Sequence, residues 1–180
     1  NHGHLLARGA DPALMLAEIL GKSTGYCGGR GGTLHLASTE LGFPTTSSAV
    51  GGCTPLATGA AFGMDRLGSN RVSVCLFGDG ALEEGSYHES INIAALEKLP
   101  LIFLCENNSL EALGQKAGEY PSSTLAAVRL TDLVTPFGVP VITIDGCDGK
   151  AVRDGMTEAI DRARSGGGPT FIEACTVRWP

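Results

Sequence analysis

The residues best suited to binding chemistry in this chain follow two short apolar segments. Gly78-Asp79-Gly80 comes after residues 72–77, and Asn107-Asn108 closely follow residues 101–105. Asp79 offers a carboxylate and Asn108 an amide oxygen, and a main-chain carbonyl just past the Asn pair could add a third ligand. Mg²⁺ takes about six oxygen ligands, which usually include water and substrate phosphates. These residue types therefore suggest a magnesium site.

The glycines beside Asp79 suit a phosphate group. Gly78 and Gly80 leave room against the backbone, and the amides of Gly80 and Ala81 would point donors at a phosphate if a helix begins there. Gly-Asp-Gly taken alone is weak evidence, because such triplets and Asn pairs are common in turns. The spacing and the strand context favour a magnesium-held diphosphate or nucleotide site.

The elements that must position these residues form a strand, a helix and a second strand. Residues 72–77 are apolar apart from Ser73, and residues 101–105 are wholly apolar, as expected of strands buried on both faces. A right-handed crossover makes the two strands parallel and places both carboxyl ends at one edge of the sheet. Ligands of open α/β sheets bind at that edge.

The rest of the chain extends this pattern. Residues 23–53 and 110–123 lack a regular element, and strands alternate with helices elsewhere, which predicts an α/β fold: a doubly wound, mostly parallel sheet with helices on both faces, in one domain over residues 1–180. The predicted helices are 12–20, 54–67, 82–98, 124–136 and 148–165, and the predicted strands are 72–77, 101–105, 139–144 and 170–177. Gly59 and Gly63 inside one helix predict a close approach of another backbone, either the parent sheet or another subunit.

Bulk properties exclude several classes of protein. A net charge of −6 without a run of Lys or Arg argues against a nucleic-acid surface. No apolar segment approaches the roughly 18 residues of a membrane span. The six cysteines form no C-x-x-C pair, so we expect neither structural zinc nor a disulfide framework, and we expect the cytoplasm.

Other motifs offer no complete catalytic set. The glycine-rich loop at 25–32 is not a P-loop, because no Lys-Ser or Lys-Thr follows it. It is either a structural cluster of turns, which we favour, or a flexible lid. His2 and His4 flank a glycine, and their spacing does not distinguish a substrate contact from surface histidines. An enzyme with this sequence would need a cofactor and a partner to supply the remaining groups.

Several longer motifs share one pattern. They are Asn1-His2-Gly3-His4, Gly28-Gly29-Arg30-Gly31-Gly32-Thr33-Leu34-His35-Leu36, Val50-Gly51-Gly52, Gly78-Asp79-Gly80-Ala81 and Cys105-Glu106-Asn107-Asn108. With them the chain resembles the alpha subunit of the thiamine-diphosphate-dependent 2-oxo acid dehydrogenases, which act on pyruvate, branched-chain 2-oxo acids or acetoin. The resemblance runs through nearly the whole chain.

The resemblance implies a metal and diphosphate site. Asp79 and Asn108 would bind Mg²⁺ through their side chains and Leu110 through its main-chain oxygen. Leu110 stands where such subunits usually have tyrosine, but the contact there is to a carbonyl. Gly78, Gly80 and Ala81 would hold the diphosphate of the cofactor.

The same resemblance implies the other end of the cofactor pocket. The segment Ser48-Ala49-Val50 falls where such subunits contact the aminopyrimidine through main chain, and the Val50 side chain would brace the bent cofactor. His2 matches a histidine at the substrate end and is the expected catalytic residue. The family's remaining diphosphate contact and its histidine-bearing loop would lie outside these residues, so we expect N-terminal and C-terminal segments of the full subunit beyond them.

The implied activity is decarboxylation of a 2-oxo acid, or cleavage of acetoin, with acyl transfer to a lipoyl acceptor. In such enzymes a beta subunit supplies the glutamate that activates the cofactor, so an alpha2beta2 heterotetramer is expected, along with a lipoyl-domain acyltransferase. Two alternatives stay open: a transketolase-like or acyloin-forming enzyme that transfers a two-carbon unit, and a non-catalytic remnant.

Overall fold

The computed structural model describes residues 2–108, 126–127 and 129–177. The chain divides into two compact units, Asn1–Ala49 and Val50–Pro180. The single domain over residues 1–180 stays a prediction. No helix in the described residues has both the length and the hydropathy that crossing a bilayer requires.

Residues 2–49, the described part of the first unit, contain two helices and a long series of turns. Helix α1 spans His2–Ala7 and was not predicted, whereas α2 spans Pro12–Ile19 as the sequence indicates. The Asp11 carboxylate accepts from the amide of Ala13 at 2.7 Å, which caps α2. The hydrophobic core of the first unit consists of the buried residues Leu5, Ala10, Met15 and Leu36.

The second unit contains the sheet. Its described residues form the helices α3 (Cys53–Arg66), α4 (Gly85–Leu96) and α5 (Gly149–Arg164), and the strands β1 (Ser73–Gly78), β2 (Leu101–Asn107), β3 (Val141–Asp145) and β4 (Thr170–Cys175). These strands are all parallel, in the order β1-β2-β4-β3. The four predicted strands are confirmed, with bounds shifted by one or two residues.

Side chains of β2 alternate between two cores, one on each face of the sheet. Leu101, Phe103 and Cys105 join a core with residues of α3 and α4. Ile102 and Leu104 join a second core with residues of α5. Helices therefore cover both faces, and the predicted doubly wound α/β fold is confirmed.

The predicted helix after Gly80 is interrupted. Asp79–Glu83 form a 3₁₀ helix, Glu84 is extended at φ −82° and ψ 134°, and α4 begins only at Gly85. Leu82 and Tyr87 are both fully buried in the same core. A continuous α-helix would separate these two positions by about 140° around its axis, so the break at Glu84 lets one core bury both.

The predicted helix at 124–136 is also wrong in its described part. Leu130–Leu133 and Thr135–Phe137 form two short 3₁₀ helices. Pro136 has no amide hydrogen to donate within an α-helix, and Gly138 ends the segment at φ 67°. Residues 124, 125 and 128 lie outside the described residues.

The two glycines inside helix α3 lie on the side of the helix that faces away from the sheet. Thr54, Thr58 and Ala61 are buried, whereas Gly59 and Gly63 lie on the exposed side of the helix. A Cβ added at either glycine would meet no described atom within 4 Å. The glycines therefore do not pack against the parent sheet.

Candidate functional site

The carboxyl ends of β1 and β2 lie side by side. Gly78, the last residue of β1, is opposite Glu106 in the register of the parallel pair. Asp79 follows Gly78, and Asn108 follows Asn107, the last residue of β2. The structure therefore brings Asp79 and Asn108 to one edge of the sheet on neighbouring strands. Their role as metal ligands stays a prediction.

Asp79 is buried without full hydrogen bonding. The residue is 3% exposed, and its Oδ2 has no hydrogen-bond partner among the described residues. Burial raises the pKa of the Asp79 carboxyl above its ordinary value, the hydrogen bond from its own backbone lowers it, and the charge of Glu83 raises it further. Leaving a buried acceptor unsatisfied is costly, so this oxygen fits a site built for a cation.

The backbone around Asp79 is open on one side. A Cβ added at Gly78 would meet no described atom within 4 Å, which leaves room for a phosphate. Gly80 and Ala81 lie in the 3₁₀ helix that Asp79 begins, not at the start of α4. Their amides therefore belong to a tighter turn than the sequence predicted.

Val50 lies at the start of the second unit and is 64% exposed. The adjacent Gly51 adopts φ 73°, and a Cβ there would lie 2.7 Å from Cβ of Glu84. The Gly51 carbonyl accepts from the hydroxyl of Thr54 at 2.7 Å and from that of Ser86 at 3.4 Å. Gly51 therefore holds Val50 beside the start of α4 and leaves its side chain available to a ligand.

His2 and Ser48 belong to the first unit. Nε2 of His2 lies 2.9 Å from the hydroxyl of Thr33, and the hydroxyl of Ser48 lies 3.3 Å from Nε2 of His35. Within this unit each residue is tied to the segment that follows the glycine-rich loop. Leu110 lies outside the described residues.

Glu18 is a residue that organises the glycine-rich loop and that the sequence reasoning missed. Its side chain projects from α2 into the glycine-rich loop and is fully buried. Oε2 accepts from the amides of Cys27 and Gly29, both at 2.8 Å. Oε1 accepts from the amides of Gly31 at 2.6 Å and Gly32 at 3.3 Å. One carboxylate thus organises the loop through four backbone donors.

The Glu18 contacts favour the structural interpretation of this loop. A Cβ added at Gly25 would overlap Glu18, and one at Gly31 would lie 2.5 Å from the carbonyl oxygen of His35. Burial raises the pKa of the Glu18 carboxyl, but the backbone donors lower it more, so the pKa lies below its ordinary value. The loop is a structural cluster of turns around a buried anion. The sequence signal for this role was the position of Glu18 on the same side of α2 as the buried Met15.

Glu173 was missed as well. It lies in the middle of β4, and its carboxylate accepts from the side chains of Asn107 and Thr143 on the two neighbouring strands. The available signal was a carboxylate among the mostly apolar residues of a predicted strand. Across the described ranges, no group of three or more His, Cys, Asp or Glu side chains could hold a metal ion.

Comparisons with known proteins bear on the family of this chain. A profile of the family described as "Dehydrogenase E1 component" matches residues 1–180. The chain belongs to this family. The resemblance inferred from the sequence motifs is therefore confirmed.

Two relatives of this E1 chain illustrate the similarity. The alpha subunit of acetoin:2,6-dichlorophenolindophenol oxidoreductase from Bacillus subtilis (strain 168) is 43% identical over 178 residues, which cover 98% of this chain and 52% of that protein. The alpha subunit of the pyruvate dehydrogenase E1 component from Zymomonas mobilis is 38% identical over 178 residues, covering 99% of this chain and 49% of that protein. The chain spans about half the length of the relatives it matches.

A solved structure is similar in fold. It is the X-ray structure of a candidate thiamin diphosphate-dependent enzyme isolated from Mycobacterium smegmatis. The TM-score is 0.55 at 26% sequence identity, and the match covers 76% of this E1 chain and 24% of that chain. This similarity agrees with the parallel sheet covered by helices.

Proposed function

We propose that this chain is the cofactor-binding part of an alpha subunit that decarboxylates a pyruvate-like 2-oxo acid, or cleaves acetoin, and passes the acyl unit to a lipoyl acceptor. The observation that carries the proposal is the buried Asp79 carboxylate, whose Oδ2 has no partner in the described residues, beside Asn108 at the sheet edge. The names of the two relatives support the choice of reaction.

The donor set suits a magnesium ion with a diphosphate. Asp79 and Asn108 would bind Mg²⁺ through side-chain oxygens, and Leu110 through its carbonyl oxygen. Gly78, Gly80 and Ala81 would lie against the diphosphate of thiamine diphosphate. The open space at Gly78 and the incompletely bonded carboxylate both support this assignment.

The remaining predicted residues orient the cofactor and the substrate. Thiamine diphosphate, when bound, supplies a nucleophilic carbon and an electron sink for loss of carbon dioxide. The exposed side chain of Val50 would brace the cofactor, and the main chain at Ser48 would contact its aminopyrimidine. His2 would hold or release a proton at Nε2, the atom that now lies 2.9 Å from the Thr33 hydroxyl.

A beta subunit would complete the enzyme by supplying the activating glutamate, in an alpha2beta2 heterotetramer. Both relatives are named as alpha subunits, which supports a partner chain. The open, exposed glycines of α3 support an interface between subunits, because they leave room for a closely packed backbone.

A lipoyl-domain acyltransferase would be a further partner, and the cytoplasm would be the compartment. The net charge of −6 supports a protein that binds no nucleic acid.

The decisive experiment uses the full-length alpha subunit co-expressed with its beta subunit. Thiamine diphosphate is titrated by calorimetry with and without Mg²⁺, for the wild type and for Asp79→Ala. We expect binding that requires Mg²⁺ in the wild type and its loss in the variant. The absence of binding heat in the wild type would refute the proposal. Assays with pyruvate, branched 2-oxo acids and acetoin then identify the substrate, and omission of the lipoyl acceptor tests the acyl transfer.

A further inference from the structure

A single carboxylate connects three strands beneath the edge that carries Asn108. Glu173 lies on β4, which runs between β2 and β3. Its Oε1 accepts from the side-chain amide of Asn107 at 2.8 Å, and its Oε2 accepts from the hydroxyl of Thr143 at 3.1 Å. Both neighbours of β4 are therefore bonded to the same side chain.

Asn107 is held by β4 at two points. Its side chain donates to Glu173, and its carbonyl accepts from the amide of Thr176 at 2.9 Å. The residue is 4% exposed and ends β2. On the other side of β2, Glu106 is opposite Gly78 in the register. The main chain therefore enters Asn108 from a residue that both flanking strands keep in place.

We propose that Glu173 is a positioning residue for the magnesium end of the site. Through Asn107 it sets where Asn108 presents its amide oxygen relative to Asp79. This inference rests on the proposed function. Hydrogen bonds that orient the ligands of a metal change its affinity about 10–100-fold when they are removed.

The two hydrogen bonds of Glu173 can be tested separately, because they lead to different parts of the sheet. The bond to Asn107 leads to Asn108, whereas the bond to Thr143 leads away from the site to β3. Thr143→Ala is therefore a matched control that removes one bond of the same carboxylate and leaves the other. Glu173→Gln separates geometry from charge, because its carbonyl oxygen accepts from Asn107 and its amide donates to the Thr143 hydroxyl, which also accepts.

The experiment measures the apparent Kd of Mg²⁺ at saturating thiamine diphosphate in the full-length alpha and beta pair. We expect Glu173→Ala to raise this Kd by about tenfold or more. Glu173→Gln and Thr143→Ala should stay within about threefold of the wild type. The double variant Glu173→Ala with Asn107→Ala should bind no more weakly than either single variant, because both remove one interaction.

Each other result overturns a defined statement. A wild type without magnesium-dependent binding overturns the proposed function itself. If the wild type binds and Glu173→Ala binds equally well, the role of Glu173 is refuted. Equal losses in Glu173→Ala and Thr143→Ala would assign Glu173 to sheet stability instead, and a loss in Glu173→Gln equal to that in Glu173→Ala would assign it to charge. Should Glu173→Ala fail to fold, Asn107→Ala tests the same bond from its other side, and unchanged magnesium affinity there refutes the proposal.

Discussion

Replacing Asp79 by Asn should stabilise the protein when no ligand is present and abolish its stabilisation by cofactor. The wild-type carboxylate is 3% exposed, and its Oδ2 has no partner in the described part of the chain. Asn keeps the size of the side chain and removes the charge. Because the charged Asp79 is buried without a full set of partners, it destabilises the ligand-free protein more than the neutral Asn would.

The magnitude follows from the cost of an unsatisfied buried group. A buried acceptor without a partner costs about 1–3 kcal/mol, and a charged one costs more than a neutral one. We therefore expect the free energy of unfolding to rise by about 1–2 kcal/mol in the variant. Cofactor and Mg²⁺ at about 100 times their Kd would stabilise only the wild type, by about 2.7 kcal/mol, so the order of stability reverses.

The assay is urea unfolding of the full-length protein, with and without Mg²⁺ and thiamine diphosphate. Asp161→Asn is the control, because it makes the same change of charge at an exposed position on α5. Since burial raises the pKa of Asp79 in the folded state, its protonated form favours folding and that contribution is lost as pH rises. The advantage of the variant should therefore shrink as pH falls towards the ordinary value of 3.8. A variant no more stable than the wild type at neutral pH would refute the reasoning.

Four further predictions concern other residues. Glu18→Gln should accelerate amide hydrogen exchange in the glycine-rich loop at neutral pH, because it weakens the hydrogen bonds that the carboxylate accepts. Since the pKa of Glu18 is lowered in the folded protein, the wild-type loop should exchange faster only as pH falls below the ordinary value of 4.5. Equal exchange rates in the variant and the wild type at neutral pH would contradict the role of Glu18. Asn108→Ala should weaken magnesium-dependent cofactor binding far more than Asn107→Ala, and equal losses in calorimetry would mean that the motif is misaligned. Gly51→Ala should destabilise the protein by about 1–3 kcal/mol, because Gly51 has a positive φ and no room for a Cβ. Gly59→Ala should stabilise the separate alpha subunit by about 0.5–1 kcal/mol in thermal unfolding, and hinder assembly with other subunits in gel filtration.

Local sequence patterns were sufficient for most of the secondary structure. Runs rich in apolar residues located all four strands, because strands of a parallel sheet covered by helices are mostly apolar, although Ser73, Thr143 and Glu173 lie within three of them. Asp11 with Pro12 located the start of α2, because capping involves only adjacent residues. Two helix predictions were wrong. At Glu84 the break in the helix lets one core bury residues on both sides of it, and at Pro136 the missing amide hydrogen prevents a continuous α-helix.

The sequence by itself determined the family, the α/β class and the place of Asp79 and Asn108 at neighbouring strand ends. Each of these depends on short motifs and on the handedness of one crossover. Only the tertiary structure decided what holds those motifs in place. Glu18 bonds amides 9 to 14 positions away, and Glu173 bonds Asn107 across 66 positions. Such pairs form because the folded path of the chain brings distant polar groups together in a buried environment where each must find a partner, and local spacing carries no record of that path.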